Sequence, residues 1–194
     1  MANHSKVAAS CPHVCSHRLS LMLDNPLRRL VHRPEKILYG LLHPGDQVVD
    51  MGCGPGFFTL PMARMVGPRG VVTAIDLQPQ MLGRVRRKAE REGIQDRLRF
   101  HQCRKDGIGL RLAADFILAY YMIHETPDPV AFLRESAALL VPGGLLLAVE
   151  PRFHVSRRTF ESIVSMGREA GMETVDRPSG KGGRAVLFAR PEHR

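Results

Sequence analysis

Cysteine is scarce in this sequence. Its four cysteines lie at positions 11, 15, 53 and 103 of 194 residues, and are too few and too scattered for a disulfide framework. No apolar run approaches the roughly 20 residues of a membrane-spanning helix, and the opening MANHSKVAAS lacks the apolar core of a signal peptide. We therefore expect a cytoplasmic protein with reduced thiols and no membrane partner.

Acidic residues are outnumbered by basic ones. The chain has 28 Lys and Arg against 19 Asp and Glu, a net charge of +9, and this balance favours an anionic partner such as nucleic acid. The basic residues concentrate in three runs, at 84–92, 97–105 and 151–158. In the first run they are mixed with Glu90 and Glu92 at helical spacing, so a solvated helix face explains that run more simply than a binding patch.

Strand and helix patterns alternate from residue 47 onward. Apolar runs predict strands at 47–51, 70–76, 97–103, 115–122 and 145–150, the last preceded by a Pro-Gly-Gly turn. Helices are predicted at 57–66, 79–93, 129–140 and 156–170. Two short final strands, within 172–177 and 184–190, would form an antiparallel edge. The alternation predicts an α/β fold, a doubly wound, mostly parallel seven-stranded sheet with helices on both faces.

A glycine-rich loop follows the first predicted strand. Gly52, Gly54 and Gly56 of VVDMGCGPG allow a ligand to approach the main chain closely at the start of the next helix. In doubly wound sheets, ligands bind beyond the carboxyl ends of the strands, and the first loop lies there. Asp76 ends the second strand, 20 residues after Gly56, where a carboxylate can accept from both ribose hydroxyls. Together they predict a nucleoside ligand.

The glycine spacing narrows the choice of nucleoside compound. The pattern is G-x-G-x-G rather than the G-x-G-x-x-G of dinucleotide sites, and the Gly-Lys-Ser/Thr of a P-loop is absent. The motifs VVDMGCGPG, AIDLQPQML, DFILAYYMIHETPD and LLVPGGLLLAVEP, in this order and spacing, resemble the class I S-adenosylmethionine-dependent methyltransferases. The resemblance extends over residues 45–190. Within the superfamily, the sequence is most similar to the small-molecule type that includes quinone-biosynthesis C-methyltransferases. It implies the Rossmann-like methyltransferase fold.

The resemblance also implies roles in binding S-adenosylmethionine, the expected cofactor. The residues concerned are Asp50, Gly52, Cys53, Gly54, Gly56, Asp76, Leu77, Arg104, Asp106 and Tyr120. Asp50 and the glycine loop would hold the amino acid part. Asp76 would bind the ribose and Leu77 the adenine, with Tyr120 near the methyl group. Many relatives place an acid after strand three against the adenine; here that position is Arg104, with Asp106 two residues later.

Methyl transfer from a sulfonium is an in-line displacement, for which the protein mainly positions the reactants. We therefore expect no metal site. A base is needed where the acceptor must lose a proton, and His124, Glu125 and Glu150 are the candidates at the strand ends. His124 lies in MIHETPD, which resembles a turn of relatives in which the histidine often supports the pocket, and this role is favoured over catalysis. Cys15, Tyr121 and His154 are the candidates for contacting the acceptor, although His154, like Glu150, would also fit a solvated position.

The sequence leaves the identity of the methyl acceptor open. The main hypothesis is a small molecule bound between the first 45 residues and the loops after 120 and 150. The alternative is an RNA or protein methyltransferase that uses the basic surface, although AYYM replaces the Asn/Asp-Pro-Pro-Tyr signature of methylation on base amino groups. A metalloid or thiol methyltransferase and a donor-binding module without catalysis are less favoured.

The domain prediction separates residues 1–44, an N-terminal extension, from a methyltransferase domain at 45–194. Pro34 fits the first turn of a helix that runs through Leu42 and ends before Pro44-Gly45. Before this helix, thiols and imidazoles alternate at Cys11, His13, Cys15 and His17. On an extended strand these four side chains cannot all reach one metal ion, because residues two apart lie about 6.6 Å from each other. An uninvolved leader, an acceptor-pocket lid and a soft-metal or metalloid thiol site all stay open for this segment.

Overall fold

The computed structural model describes residues 33–192. Its strands are β1 (Gln47–Met51), β2 (Val71–Asp76), β3 (Leu98–Gln102), β4 (Ala114–Tyr120), β5 (Leu140–Glu150), β6 (Glu173–Asp176) and β7 (Arg184–Ala189). Its α-helices are α1 (Pro34–Ile37), α2 (Thr59–Met65), α3 (Pro79–Glu92), α4 (Pro129–Leu139) and α5 (Arg157–Glu169). Short 3₁₀ turns span Gln95–Arg97 and Ile123–Glu125. Across the described range, no helix has the length and apolar character needed to cross a membrane.

The strands form one seven-stranded sheet in the order β3-β2-β1-β4-β5-β7-β6. Strands β1 to β5 pair in parallel, and β7 runs antiparallel to both β5 and β6. The predicted fold class, including its antiparallel carboxyl-terminal edge, is therefore confirmed. Alternate residues of β1 face opposite cores: Val48 packs with the α2 and α3 side, and Val49 with the α4 and α5 side.

Two predicted element boundaries were wrong. The first helix ends at Ile37 rather than at Leu42, because a turn follows in which Gly40 has a φ of +74° and the N–H of Leu41 donates to Leu38 O at 3.0 Å. The predicted Pro-Gly-Gly turn lies inside β5. The register shifts there, so that residues 141–144 form a bulge between the Ala114–Leu140 and Phe116–Leu145 pairs of β4 and β5.

The carboxyl ends of the parallel strands lie at one edge of the sheet, which we call the ligand edge. Asp76 ends β2, Tyr120 ends β4 and Glu150 ends β5. The order of strands reverses at β1, between β2 and β4, which is where doubly wound folds bind ligands. Because β7 runs the opposite way and its first residue pairs with Glu150, the loop of residues 177–183 reaches the ligand edge as well.

Candidate functional site

The glycine loop makes a tight bend between β1 and α2. Gly52, Gly54 and Gly56 have φ values of +67°, +52° and +91°, in the left-handed region that favours glycine. A Cβ at Gly56 would lie 3.1 Å from a methyl of Val85 on α3, so the loop packs tightly on that side. A Cβ at Gly54 would meet no atom within 4 Å. The loop is therefore closed towards α3 and open at Gly54.

Asp76 joins this loop to the end of β2. Its Oδ2 accepts from the N–H of Gly54 and its Oδ1 from the N–H of Gln78, both at 2.9 Å. Burial raises the pKa of Asp76, and these backbone donors act against the rise. Leu77, the next residue, is half-buried and its carbonyl accepts from Nε2 of Gln102 at 3.2 Å. The predicted ribose and adenine residues thus lie beside the predicted amino acid loop.

Cys53 faces inward from the same loop. Its side chain is buried, and its Sγ lies 3.9 Å from Oδ2 of Asp76. Burial, followed by the nearby carboxylates of Asp50 and Asp76, raises the pKa of its thiol well above the usual value. Its N–H donates to Ile75 O at 2.9 Å. Cys53 therefore supports the bend with its main chain and packs its thiol into the core.

Asp50 is buried at the penultimate position of β1. Its Oδ2 accepts from the hydroxyl of Thr59, the first residue of α2, at 2.6 Å. Burial raises the pKa of Asp50 from 3.8 to about 7, with the charge of Asp76 adding to the rise and the Thr59 bond opposing it. Sequence reasoning missed Thr59; a hydroxyl residue at the start of the helix after the glycine loop was the signal available.

Arg104 and Asp106 lie on the loop after β3 and bind each other. Nε of Arg104 donates to Oδ1 of Asp106 at 2.9 Å, and both side chains are largely exposed. The mutual bond raises the pKa of Arg104 and lowers that of Asp106. Cys103, which precedes them, is half-buried and its N–H donates to Asp76 O at 3.2 Å. The residue after β3 that is tied to Asp76 is thus Cys103, which the sequence did not single out.

Tyr120 and Tyr121 form a row of tilted aromatic rings with Phe58, the residue before α2. The ring of Tyr120 lies 4.4 Å from that of Phe58 and 4.3 Å from that of Tyr121, measured between centroids. Their hydroxyls donate to main-chain carbonyls of the 177–183 loop: Tyr120 to Lys181 O at 2.8 Å and Tyr121 to Gly182 O at 2.5 Å. The two tyrosines therefore sit at the ligand edge with both hydroxyls on that loop.

His124 and Glu150 form a pair between β5 and the turn after β4. Nδ1 of His124 is hydrogen-bonded to Oε2 of Glu150, and Oε1 of the same carboxylate accepts from the N–H of Ile123 at 3.0 Å. Glu150 is fully buried, so the solvated position proposed for it was wrong. The bond to Glu150 raises the pKa of His124. The bond to Glu150 orients the imidazole, and Nε2 is the ring nitrogen that faces away from Glu150.

Glu125 and His154 flank this pair. Oε1 of Glu125 lies 4.0 Å from Nε2 of His124, and burial raises the pKa of Glu125, while the charge of His124 opposes the rise. The ring of His154 stacks at 6.2 Å from that of His124, and the exposed ring of Phe153 lies 4.9 Å from His154. All three predicted catalytic residues thus come together.

Lys88 is a further residue that sequence reasoning missed. Its Nζ donates to the carbonyl of Pro55, between Gly54 and Gly56, at 2.9 Å. The sequence held no signal for it, because a lysine within a basic helical run is typical of a solvated face. Exposed neighbours on α3 include Arg86, whose guanidinium lies 4.7 Å from the centroid of Phe100, and Arg87.

Residues 33–192 contain no group of three or more His, Cys, Asp and Glu that could hold a metal ion. Cys53 and Cys103 are free thiols. Cys15, predicted to contact the acceptor, lies outside the described residues, as does the rest of its cluster.

Known proteins share both this sequence pattern and this fold. A family model described as a methyltransferase domain matches residues 48–144. An aklanonic acid methyltransferase of a Streptomyces species is 30% identical over 145 residues, which are 74% of this chain and 63% of that protein. A ubiquinone biosynthesis O-methyltransferase of Xanthomonas campestris is 34% identical over 103 residues, 53% of this chain and 42% of that protein. The chain thus spans less than two thirds of these relatives.

A solved structure extends the likeness over most of the fold. The S-adenosylmethionine-dependent methyltransferase from Aquifex aeolicus superposes with a TM-score of 0.80 and is 25% identical. The match covers 91% of this chain and 99% of that one. The family model spans the glycine loop, Asp76 and His124. The chain belongs to the methyltransferase domain family, within the class I S-adenosylmethionine-dependent methyltransferases that its motifs resemble.

Proposed function

We propose that this chain transfers a methyl group from S-adenosylmethionine to a hydroxyl group of a small-molecule acceptor. The observation that carries the proposal is the convergence of two arrangements on one edge of the sheet. One is the glycine loop joined to Asp76, and the other is the His124–Glu150 pair. The names of the curated relatives, which act on small molecules, support the choice of acceptor class.

The residues around the glycine loop fit the methyl donor. The open face at Gly54 leaves room against the main chain for the amino acid part, close to Asp50. Asp76 would bind the ribose and Leu77 would lie against the adenine. The donor supplies a methyl group on a sulfonium, whose positive charge suits a pocket where burial, with the charge of Asp76 adding to it, raises the pKa of Asp50.

His124 would act as the general base towards the acceptor. Its Nδ1 is bound to Glu150, so Nε2 is the nitrogen that would take the hydroxyl proton. Glu150 is a positioning residue: it fixes the ring and stabilises the imidazolium that forms. General-base catalysis of this kind contributes roughly 10²- to 10⁴-fold in rate. Glu125, His154 and Tyr121 would line the acceptor side.

The division into domains and the cellular location also belong to this proposal. Residues 1–44 would cover the acceptor, with Cys15 among the contacts, and residues 45–194 would form the methyltransferase domain. A cytoplasmic location is proposed from the composition, and the free thiols of Cys53 and Cys103 are in keeping with it.

The test is incubation of the full chain with methyl-labelled S-adenosylmethionine and cell extract, followed by separation of RNA, protein and small molecules. Label in the small-molecule fraction is expected, and it should be lost with His124→Asn and kept with Asp96→Asn, a change at an exposed residue outside the proposed site. Label in RNA or protein would instead support the alternative that uses the basic surface. No transfer to any fraction, with donor binding intact, would favour a donor-binding module.

A further inference from the structure

The loop of residues 177–183 crosses the ligand edge. It connects β6 to β7, and β7 starts opposite Glu150, the positioning residue of the catalytic pair. Its backbone is held by two neighbouring side chains, since Tyr120 donates to Lys181 O and Tyr121 to Gly182 O. Two consecutive phenol groups thus bind two consecutive carbonyls of a loop that has the sequence PSGKGG.

Tyr121 holds its position at an energetic cost. Among the described residues, it is the non-glycine residue with a positive φ, at +60°. Such a conformation is unfavourable for a non-glycine residue and persists only where surrounding contacts impose it. Contacts within the described residues do so here: the N–H of Tyr121 donates to Val149 O at 2.8 Å, its hydroxyl donates to Gly182 O, and its ring centroid lies 4.3 Å from that of Tyr120.

Met122, the residue after Tyr121, lies against the glycine loop. A Cβ placed on Gly52 would lie 3.2 Å from Cβ of Met122. The turn that contains His124 follows at once, at Ile123–Glu125. The unusual backbone of Tyr121 therefore lies between the part of the site assigned to the donor and the proposed base.

Lys181 ties the loop to the amino-terminal side of the site. Its Nζ donates to the carbonyl of Ile37, the last residue of α1. Burial lowers the pKa of Lys181, so its ammonium is partly removed from solvent. The loop is consequently fixed at both faces, by tyrosines from the sheet and by a lysine that reaches α1.

We infer that residues 177–183 form a fixed wall of the acceptor pocket, with Tyr121 and Lys181 as its positioning residues. This inference rests on the proposed function. Because its phenol proton is donated to Gly182 O, Tyr121 would present its half-buried ring to the acceptor rather than act as an acid. The wall would set which acceptors fit beside His124, and would leave donor binding to the glycine loop.

The test compares Tyr121→Phe with Ser165→Ala, the loss of a hydroxyl at an exposed position of α5, and Lys181→Met with Arg91→Met, the loss of a cation at an exposed position of α3. Hydrogen exchange of the 177–183 amides is measured first. Initial rates of label transfer are then measured against dilutions of the low-molecular-weight fraction of a cell extract, used as the acceptor probe. Calorimetry with S-adenosylhomocysteine reports on the donor site.

Tyr121→Phe and Lys181→Met should each speed amide exchange in the loop and raise the half-saturating amount of extract by roughly threefold to tenfold, the loss of one hydrogen bond. The maximal rate and the affinity for S-adenosylhomocysteine should change less than twofold, and the two controls should match the unmodified protein. Lys181→Arg should recover part of the loss. Faster amide exchange with an unchanged half-saturating amount of extract would contradict the inferred wall. A loss of affinity for S-adenosylhomocysteine as large as the change in half-saturation would contradict it too.

These outcomes separate the inference from the proposed function. If the unmodified protein labels no small molecule, the proposed function fails and the wall loses its acceptor. If it labels small molecules and both variants behave like their controls, only the wall is wrong.

Discussion

The hydroxyl of Thr59 donates to Oδ2 of Asp50, and the two oxygens lie 2.6 Å apart inside the protein. This bond joins the end of β1 to the start of α2 across the glycine loop. Burial raises the pKa of Asp50 to about 7, although the bond from Thr59 opposes that rise. Asp50 therefore changes its protonation between acidic and neutral pH. The stability of the loop should therefore depend on pH.

Asp50→Asn should remove a pH dependence from the free energy of unfolding. The pKa of Asp50 is raised from 3.8 to about 7 in the folded protein, so its contribution to stability is fully present below pH 3.8 and is lost as pH rises through about 7. Relative to Asp50→Asn, the unmodified protein should lose about 4 kcal/mol across that window, at about 1.4 kcal/mol per pKa unit.

Urea unfolding at a series of pH values measures this difference. Asp96→Asn, at an exposed residue, is the control and should keep the pH dependence of the unmodified protein. An Asp50→Asn protein with that same dependence would show that Asp50 does not titrate in this range.

Asp76→Asn should weaken donor binding at least tenfold. Charge-assisted hydrogen bonds contribute roughly 1.5 to 3 kcal/mol each, and the substitution removes the charge while it keeps one oxygen near the N–H groups of Gly54 and Gln78. Calorimetric titration with S-adenosylmethionine measures the change. Glu90→Gln, at an exposed position of α3, should bind like the unmodified protein. Undiminished affinity in Asp76→Asn would refute its assignment to the ribose.

Lys88→Met should weaken donor binding without abolishing it. The ammonium of Lys88 holds the carbonyl of Pro55 at 2.9 Å, and its loss would let the loop between Gly54 and Gly56 move. A neutral hydrogen bond contributes about 1 kcal/mol net and one to a charged group more, so a fivefold to twentyfold rise in the dissociation constant for S-adenosylhomocysteine is expected, on the order of 1 to 2 kcal/mol. The exposed Arg87→Met is the matched control; equal affinities of the two variants would contradict a role for Lys88.

The rate of methyl transfer should rise with pH through the pKa of His124. That pKa is raised above 6.5 by the bond to Glu150, and only the neutral imidazole accepts a proton. Glu150→Gln keeps an acceptor for the Ile123 N–H but removes the charge, so the midpoint of the pH–rate profile should move to lower pH while the maximal rate falls by roughly 10-fold or more. A midpoint that stays in place would exclude His124 as the titrating base.

The local sequence determined the elements and the glycine loop. Continuous apolar runs specify buried strands, glycine is required where φ is positive, and Asp76 follows from its place at the end of β2. These features depend on residues near one another in the chain. The resemblance carried by the same motifs predicted the family that the comparisons then showed.

Only the tertiary structure decided which side chains meet. The pairs His124–Glu150, Lys88–Pro55 and Tyr121–Gly182 join residues 26, 33 and 61 positions apart, and no local pattern specifies such a pairing. Glu150 would be solvated at the end of an isolated strand; it is buried because the turn after β4 packs over it. Burial and partners from distant elements set its chemistry, and these exist only once the sheet has assembled.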